Sequence, residues 1–185
     1  MKVLVAVGSK YGATREIAQT IAEVLRDFGF DALWHDARDV ESLASFDAAI
    51  IGSAVYGGFW RRDASSLIHD HAEELQKIPV WLFSSGPVGL PPRPSEPAGE
   101  GDSLVDVINA YGHIMFSGYL NPERLNFGER AIIRGLKASV GDYREWGQVK
   151  NWAREIAHQL TKISQPKTEQ TRPAPAEPAR KASAD

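Results

Sequence analysis

A chain in which Val3-Leu4-Val5-Ala6-Val7 runs directly into Gly8-Ser9-Lys10-Tyr11-Gly12-Ala13-Thr14, and then into Arg15-Glu16-Ile17-Ala18, has few ways to fold. The apolar run predicts a strand buried on both faces, as parallel strands are. The polar turn after it opens a helix. Such a turn presents the first, unpaired N–H groups of the helix and the positive end of its dipole. Ser9 and Thr14 add hydroxyls, and Gly12 lets the backbone turn tightly and approach a ligand closely. Together these make a cradle for phosphate. Spacing removes several kinds of cradle. Gly8 and Gly12 are too close for G-x-x-x-x-G-K-[ST], and G-x-G-x-x-G is absent. No carboxylate ends the strand, as an acidic phospho-acceptor pocket would need. The plainer alternative is an ordinary strand-to-helix turn with Thr14 as the N-cap.

The rest of the chain repeats the strand–helix alternation. Helix Thr14–Phe28 places Ile17, Ile21, Val24, Leu25 and Phe28 on one face and ends at Gly29. Strands are expected at Lys2–Gly8, Asp31–Ala37, Asp47–Ser53, Val80–Ser85 and His113–Leu120, with a helical turn over Val40–Ser45. Further helices are expected at Arg62–Lys77, Asp102–Tyr111, Gly128–Ser139 and Glu145–Ile163. Gly86–Gly101 is dense in Pro and Gly and reads as loop. Five strands separated by helices predict an α/β fold: a doubly wound, five-stranded parallel sheet with helices on both faces. The domain spans residues 1–163. Residues 164–185 carry Pro166, Pro173, Pro175 and Pro178 among Lys, Glu, Thr, Ala and Ser, and read as a disordered tail.

Composition narrows the chemistry. The 185 residues include no cysteine, so disulfides, thiolate metal sites and thiol catalysis are excluded, and a reducing cytosol suits the chain. A net charge of -3 gives no reason to expect nucleic acid as a partner. No apolar run reaches membrane-spanning length, and the N-terminus enters a strand without the features of a secretory leader. His69 and His71 stand two apart on an expected helix and cannot form one metal face. His35, His113 and His158 have no carboxylate or histidine at ligand spacing, so no metal site is expected.

Ligands of a doubly wound sheet bind beyond the carboxyl ends of the strands. Three segments meet there: Ser9–Thr14, Ser53–Trp60 and Ser84–Leu90. The segment Ser9-Lys10-Tyr11-Gly12-Ala13-Thr14, as [ST]-x-[TY]-G-x-[ST], resembles the phosphate loop of flavodoxins. Ile50 to Gly58, the closing Trp146–His158, Phe116-Ser117-Gly118-Tyr119-Leu120 and Ala131–Lys137 are similar to the flavodoxin-domain subfamily that contains the menaquinone-dependent protoporphyrinogen dehydrogenases. The resemblance covers most of residues 1–160.

The resemblance implies FMN as cofactor. Ser9, Lys10, Tyr11, Gly12, Ala13 and Thr14 would hold its phosphate. Ala54, Val55, Tyr56 and Gly57 would face its ring, with Gly57-Gly58 free to reorient on reduction. Ser84, Ser85 and Gly86 would supply backbone groups to the pyrimidine edge. Phe59 is a further ring-stacking candidate, and Trp60 is either that or core. Arg61, Arg62 and Arg93 rim the site and either bridge to acids or attract a carboxylated substrate. The helix carrying Arg130, Arg134 and Lys137 beside Ile132, Ile133 and Leu136 either packs on the core edge or rests against a quinone or the inner face of a membrane. No side chain stands out as a catalytic acid or base. Two functions remain open: an FMN-dependent oxidoreductase passing electrons from a small-molecule substrate, protoporphyrinogen IX by resemblance, to a quinone; or a flavodoxin-type carrier serving redox partner proteins.

Overall fold

In the computed structural model, residues 1–86, 99–135 and 140–165 are described. The main sheet has the order β2-β1-β3-β5-β6, every pair parallel. Its strands are β1 (Lys2–Gly8), β2 (Asp31–Asp36), β3 (Ala48–Tyr56), β5 (Val80–Ser85) and β6 (His113–Phe116). The two-residue β4 (Phe59–Trp60) folds back antiparallel onto the end of β3. The helices are α1 (Ala13–Asp27), α2 (Arg62–Asp70), α3 (Ala72–Leu75), α4 (Glu100–Ile108), α5 (Phe127–Gly135) and α6 (Trp146–Ser164). This is the doubly wound architecture the strand–helix alternation predicts.

The period of two along each strand divides the core. Val3, Val5 and Val7 of β1, Ile50 of β3, and Trp81 and Phe83 of β5 pack under α1 and α6. Leu4, Ala6, Ile51, Val80 and Leu82 face the opposite way, toward α2, α3 and α4. Ile17, Ile21, Val24 and Leu25 are buried as the helical period requires, while Phe28 stays 40% exposed with its edge against His158. Gly29, at φ 86, closes α1: its N–H bonds Arg26 O and that of Phe30 bonds Leu25 O, the paired bonds of a Schellman cap.

Several expected boundaries shift. The helical turn lies at Ala37–Asp39, ahead of the expected Val40–Ser45, because Asp36 at the end of β2 takes both Arg15 and Arg38 and pins the chain there. The expected helix Arg62–Lys77 divides at His71, which leaves helical geometry (φ -117, ψ 22) and turns its ring onto Glu74 at 2.9 Å. The fifth strand stops at Phe116, whose register partner Ser85 is the last residue of β5. Beyond it, among the described residues, β6 has no strand to pair with. The expected continuation, β7 (Tyr119–Leu120), pairs instead with β8 (Gly141–Asp142) in a separate antiparallel ribbon. Part of the Gly86–Gly101 loop, Arg93 included, together with Leu136, Lys137 and residues 166–185, lies outside the described residues. No helix among those described is long and apolar enough to cross a membrane.

Candidate functional site

The parallel register brings the three ligand-end segments together. Gly8 pairs with Ser53 and Ser53 with Ser84; one residue on, Ala54 pairs with Ser85. Gly86 follows at φ 127, with its N–H on Phe116 O and its Cα turned toward Val55. Ser9–Thr14, Ala54–Gly57 and Ser84–Gly86 therefore share one edge of the sheet.

The turn after β1 has the makings of an anion cradle. Gly12 is the N-cap of α1 at φ 90, a left-handed conformation that glycine adopts without strain. Thr14 is therefore inside the first turn and is not the cap. It is only 2% exposed, and its hydroxyl has no partner among the described residues. Ser9 Oγ accepts the N–H of Gly12 at 3.2 Å. The N–H groups of Ala13, Thr14 and Arg15, which start the helix, have no acceptor among the described residues. The first N–H groups of a helix, left unpaired within it, are open to an anion from outside the chain.

Glu129 was not among the expected site residues. Its carboxylate accepts from Lys10 Nζ at 2.5 Å and from the Tyr11 hydroxyl. It also accepts from the N–H of Asn126, while Asn126 Oδ1 accepts the N–H of Glu129, a reciprocal capping box at the start of α5. These bonds, Lys10 first, hold the Glu129 carboxyl down to about 2 and raise the Lys10 ammonium in return. The pair is thus fully ionised across the neutral range. The sequence signal was Asn126-x-x-Glu129; what it touches 118 residues away was not in it.

Val55 and Tyr56 pair with Trp60 and Phe59, closing a hairpin on Gly57 and Gly58. Both glycines have positive φ, 60 and 87, as the two central residues of a type I′ turn require. The expected loop is therefore a hairpin with a fixed register. Phe59 is 69% exposed and Tyr56 46%. Burial raises the Tyr56 phenol, and its charged or ionisable neighbours are Tyr11, Lys10, Arg61 and Glu129. Lys10, Tyr11 and Arg61 thus lie near Tyr56. The Arg61 N–H caps onto Ser53 Oγ at 2.8 Å, its Nε is buried without a hydrogen bond, and Asp63 lies at 3.6 Å. Arg62 is exposed beside it.

Trp60 belongs to the core, 6% exposed. Its Nε1–H donates to Ser84 Oγ at 2.8 Å, Ser84 Oγ meets His113 Nε2 at 2.8 Å, and His113 Nδ1 meets Asp102 Oδ1 at 2.7 Å. Glu100, at the start of α4, accepts the Trp60 N–H at 2.7 Å and the Ser65 hydroxyl. One correction follows. His113 does have a carboxylate partner, supplied by a neighbouring helix. The Ser84 hydroxyl is spent inside the protein, leaving its backbone as its contribution to the edge. Ser84→Ala should strand the Trp60 indole N–H and the His113 ring nitrogen, destabilising the fold by about 1–3 kcal/mol. A urea-denaturation midpoint equal to that of the parent would contradict this.

Arg144 closes the far side of the cradle. Its guanidinium is 5% exposed, donates to Ala13 O at 3.0 Å and Glu16 at 2.8 Å, pairs with Asp142 at 2.7 Å and stacks on Trp146 at 4.6 Å. Among the described residues no three His, Asp or Glu side chains are grouped to hold a metal.

A family model described as "Flavodoxin domain" matches residues 4–146. The chain is 27% identical over 173 residues to the protoporphyrinogen IX dehydrogenase [quinone] of Escherichia coli strain K12, covering 85% of this chain and 96% of that one. Among solved structures, oxidised flavodoxin 2 of Bacillus cereus superposes with TM-score 0.58 at 22% identity, over 86% of this chain and 99% of its own. The rubredoxin oxygen:oxidoreductase of Desulfovibrio gigas gives TM-score 0.60 at 16% identity over 89% of this chain, which spans 37% of that longer protein.

Proposed function

The chain belongs to the flavodoxin-domain family, and from that premise we propose that it is an FMN-binding oxidoreductase. It passes electrons from a flat, carboxylate-bearing substrate, with protoporphyrinogen IX the candidate, to a quinone. The observation that carries the reading is the cradle after β1: the hydroxyl of Thr14, a residue only 2% exposed, and three helix-start N–H groups have no partner among the described residues, at the edge where Tyr56 and Gly57 also emerge. Similarity to the Escherichia coli enzyme supports the choice of substrate and acceptor.

The residues present fit the cofactor. Ser9, Gly12, Ala13 and Thr14 would hold the phosphate, with Lys10 and Tyr11 steadied by Glu129. Ala54, Val55, Tyr56 and Gly57 would border the ring on one side, and the backbone of Ser84, Ser85 and Gly86 on another. When bound, FMN supplies the redox chemistry, which no side chain here can perform. The protein's part is to bind, orient and exclude water. The exposed faces of Tyr56 and Phe59 offer a flat apolar surface, and Arg61 and Arg62 place positive charge at its rim.

Anaerobic reduction of the FMN-loaded protein by protoporphyrinogen IX, then reoxidation by a menaquinone analogue, tests the reading. If a flavodoxin-type reductase reduces it and the porphyrinogen does not, the protein is a carrier. Arg61→Ala with Arg62→Ala should raise KM about ten-fold and leave kcat nearly unchanged, since contacts to the carboxylates are the same in ground and transition states. A fall in kcat at unchanged KM would remove these arginines from substrate binding.

A further inference from the structure

The cradle is surrounded by cations, and nearly all are already neutralised. Lys10 is paired with Glu129 at 2.5 Å, and Arg15 holds Asp36 through two bonds of 3.0 and 2.9 Å. Arg144 is held by Asp142 and Glu16, and Arg61 has Asp63 at 3.6 Å. Arg124 is different. Among the described residues no carboxylate lies within ion-pair distance of it. Its Nη1 donates to Tyr11 O at 2.9 Å, on the cradle itself. A Cβ built on Gly12 would lie 4.0 Å from this same Nη1 and as far from Arg15 Nη1, so the Arg124 guanidinium stands beside the left-handed turn with that of Arg15, which Asp36 already holds.

Its position is set by the chain around it. Arg124 ends a single 3-10 turn, Pro122–Arg124, capped by the Asn121 side chain on the Glu123 N–H at 2.9 Å. Leu125 beside it is 7% exposed and anchors the turn. The guanidinium also lies over the Tyr119 ring, 5.9 Å from its centroid. Two residues on, the Asn126–Glu129 box begins α5, whose carboxylate grips Lys10 and Tyr11. The segment after β7 is therefore fastened to the cradle at two points, and one of them carries uncompensated charge.

We propose that Arg124 is a phosphate-binding residue: it supplies the positive charge for a phosphomonoester dianion in the Ser9–Thr14 cradle and makes the site select phosphorylated over unphosphorylated flavin. The inference rests on the FMN reading for the identity of the ligand, and on the hydroxyl of the 2% exposed Thr14, which has no partner among the described residues, for the presence of an anion. An arginine bond to a phosphate oxygen is charge-assisted and about twice as strong as a neutral one.

The test compares FMN, riboflavin and inorganic phosphate on the flavin-free full chain, by flavin fluorescence quenching and by calorimetry. Arg124→Ala should weaken FMN by about ten- to a hundred-fold and leave riboflavin within about two-fold. Arg124→Gln, which can still donate to Tyr11 O, should lose as much FMN affinity, whereas Arg124→Lys should recover part of it. An equal loss for FMN and riboflavin would mean that Arg124 only holds the segment in place, and overturns the proposal. So does unchanged FMN binding in both Ala and Gln variants, which leaves the FMN reading intact. If the parent binds phosphate, Arg124→Ala weakens that binding and FMN is not bound at all, Arg124 stands as an anion-binding residue and the FMN reading fails. If the parent binds neither, both fail.

Discussion

Thr14→Ala should lower FMN affinity by roughly ten- to a hundred-fold, the loss of about 1.5–3 kcal/mol expected when a charged group loses a buried hydrogen bond. Thr14 has almost no other work to do. It is 2% exposed, it does not cap α1, and its hydroxyl has no partner among the described residues. The change also deletes a buried methyl, worth about 0.5–1.5 kcal/mol, so the flavin-free chain should lose about 1–6 °C in Tm while dissociation of FMN accelerates. Fluorescence titration measures the first quantity that matters, and a scan without flavin measures the second. Affinity equal to the parent's would show that the cradle does not hold the phosphate. A Thr14→Ser variant should stay close to the parent, because the hydroxyl remains.

Gly52→Ala should destabilise the fold by about 1–3 kcal/mol, the range for overpacking a filled core. Gly52 lies in the middle of β3, directly beside Phe83 on β5. A Cβ there would sit 2.1 Å from two atoms of the Phe83 ring. The ring cannot retreat freely, since Phe83 is fully buried with Phe116 at 6.0 Å and Trp152 at 6.1 Å between centroids. A chain of this size loses about 2–4 °C in Tm per kcal/mol. Adding Phe83→Leu to Gly52→Ala should cost less than the two single changes summed, because the smaller side chain vacates the space the methyl needs. Strict additivity of the pair, or an unchanged Tm for Gly52→Ala alone, would contradict the packing argument. The effect bears on function because β3 and β5 carry Tyr56 and Ser85 to the ligand edge.

The elements that were legible in the sequence share one property: their signal is local and periodic. Val3 to Val7 could only be a buried strand, and Ile17, Ile21, Val24 and Leu25 could only face inward from a helix. Gly29 marked the end of that helix because a left-handed residue was needed there. The phosphate-loop pattern could be read for the same reason, since its turn, its glycine and the helix it opens are consecutive. Gly57-Gly58 announced a turn, although the sequence did not show that β3 would run on to Tyr56 and meet Phe59 across it.

What escaped reading depends on contacts between distant segments. The fifth strand looked continuous from His113 to Leu120 because nothing local interrupts it; it stops at Phe116, where β5, its one neighbour among the described residues, ends at Ser85. Nothing local to Ser84 showed where its hydroxyl would go, since Trp60 and His113 arrive from other elements to bond it. Arg61 was read from its place in the chain alone, and only the fold shows its Nε buried without a hydrogen bond, with Asp63 at 3.6 Å.

The sequence by itself thus determined the layered α/β fold and the strand–turn–helix unit from Val3 to Ala18 on which the proposed phosphate site rests. These follow from hydrophobic period and backbone conformation, which act over a few residues. Only the tertiary structure decided which charges around that loop are already satisfied. Glu129 silences Lys10, Asp36 silences Arg15, and Arg124 is left facing Gly12. Charge balance is a sum over space, falling off with distance between side chains and not with their separation along the chain, so a segment more than a hundred residues from the cradle can set its electrostatics.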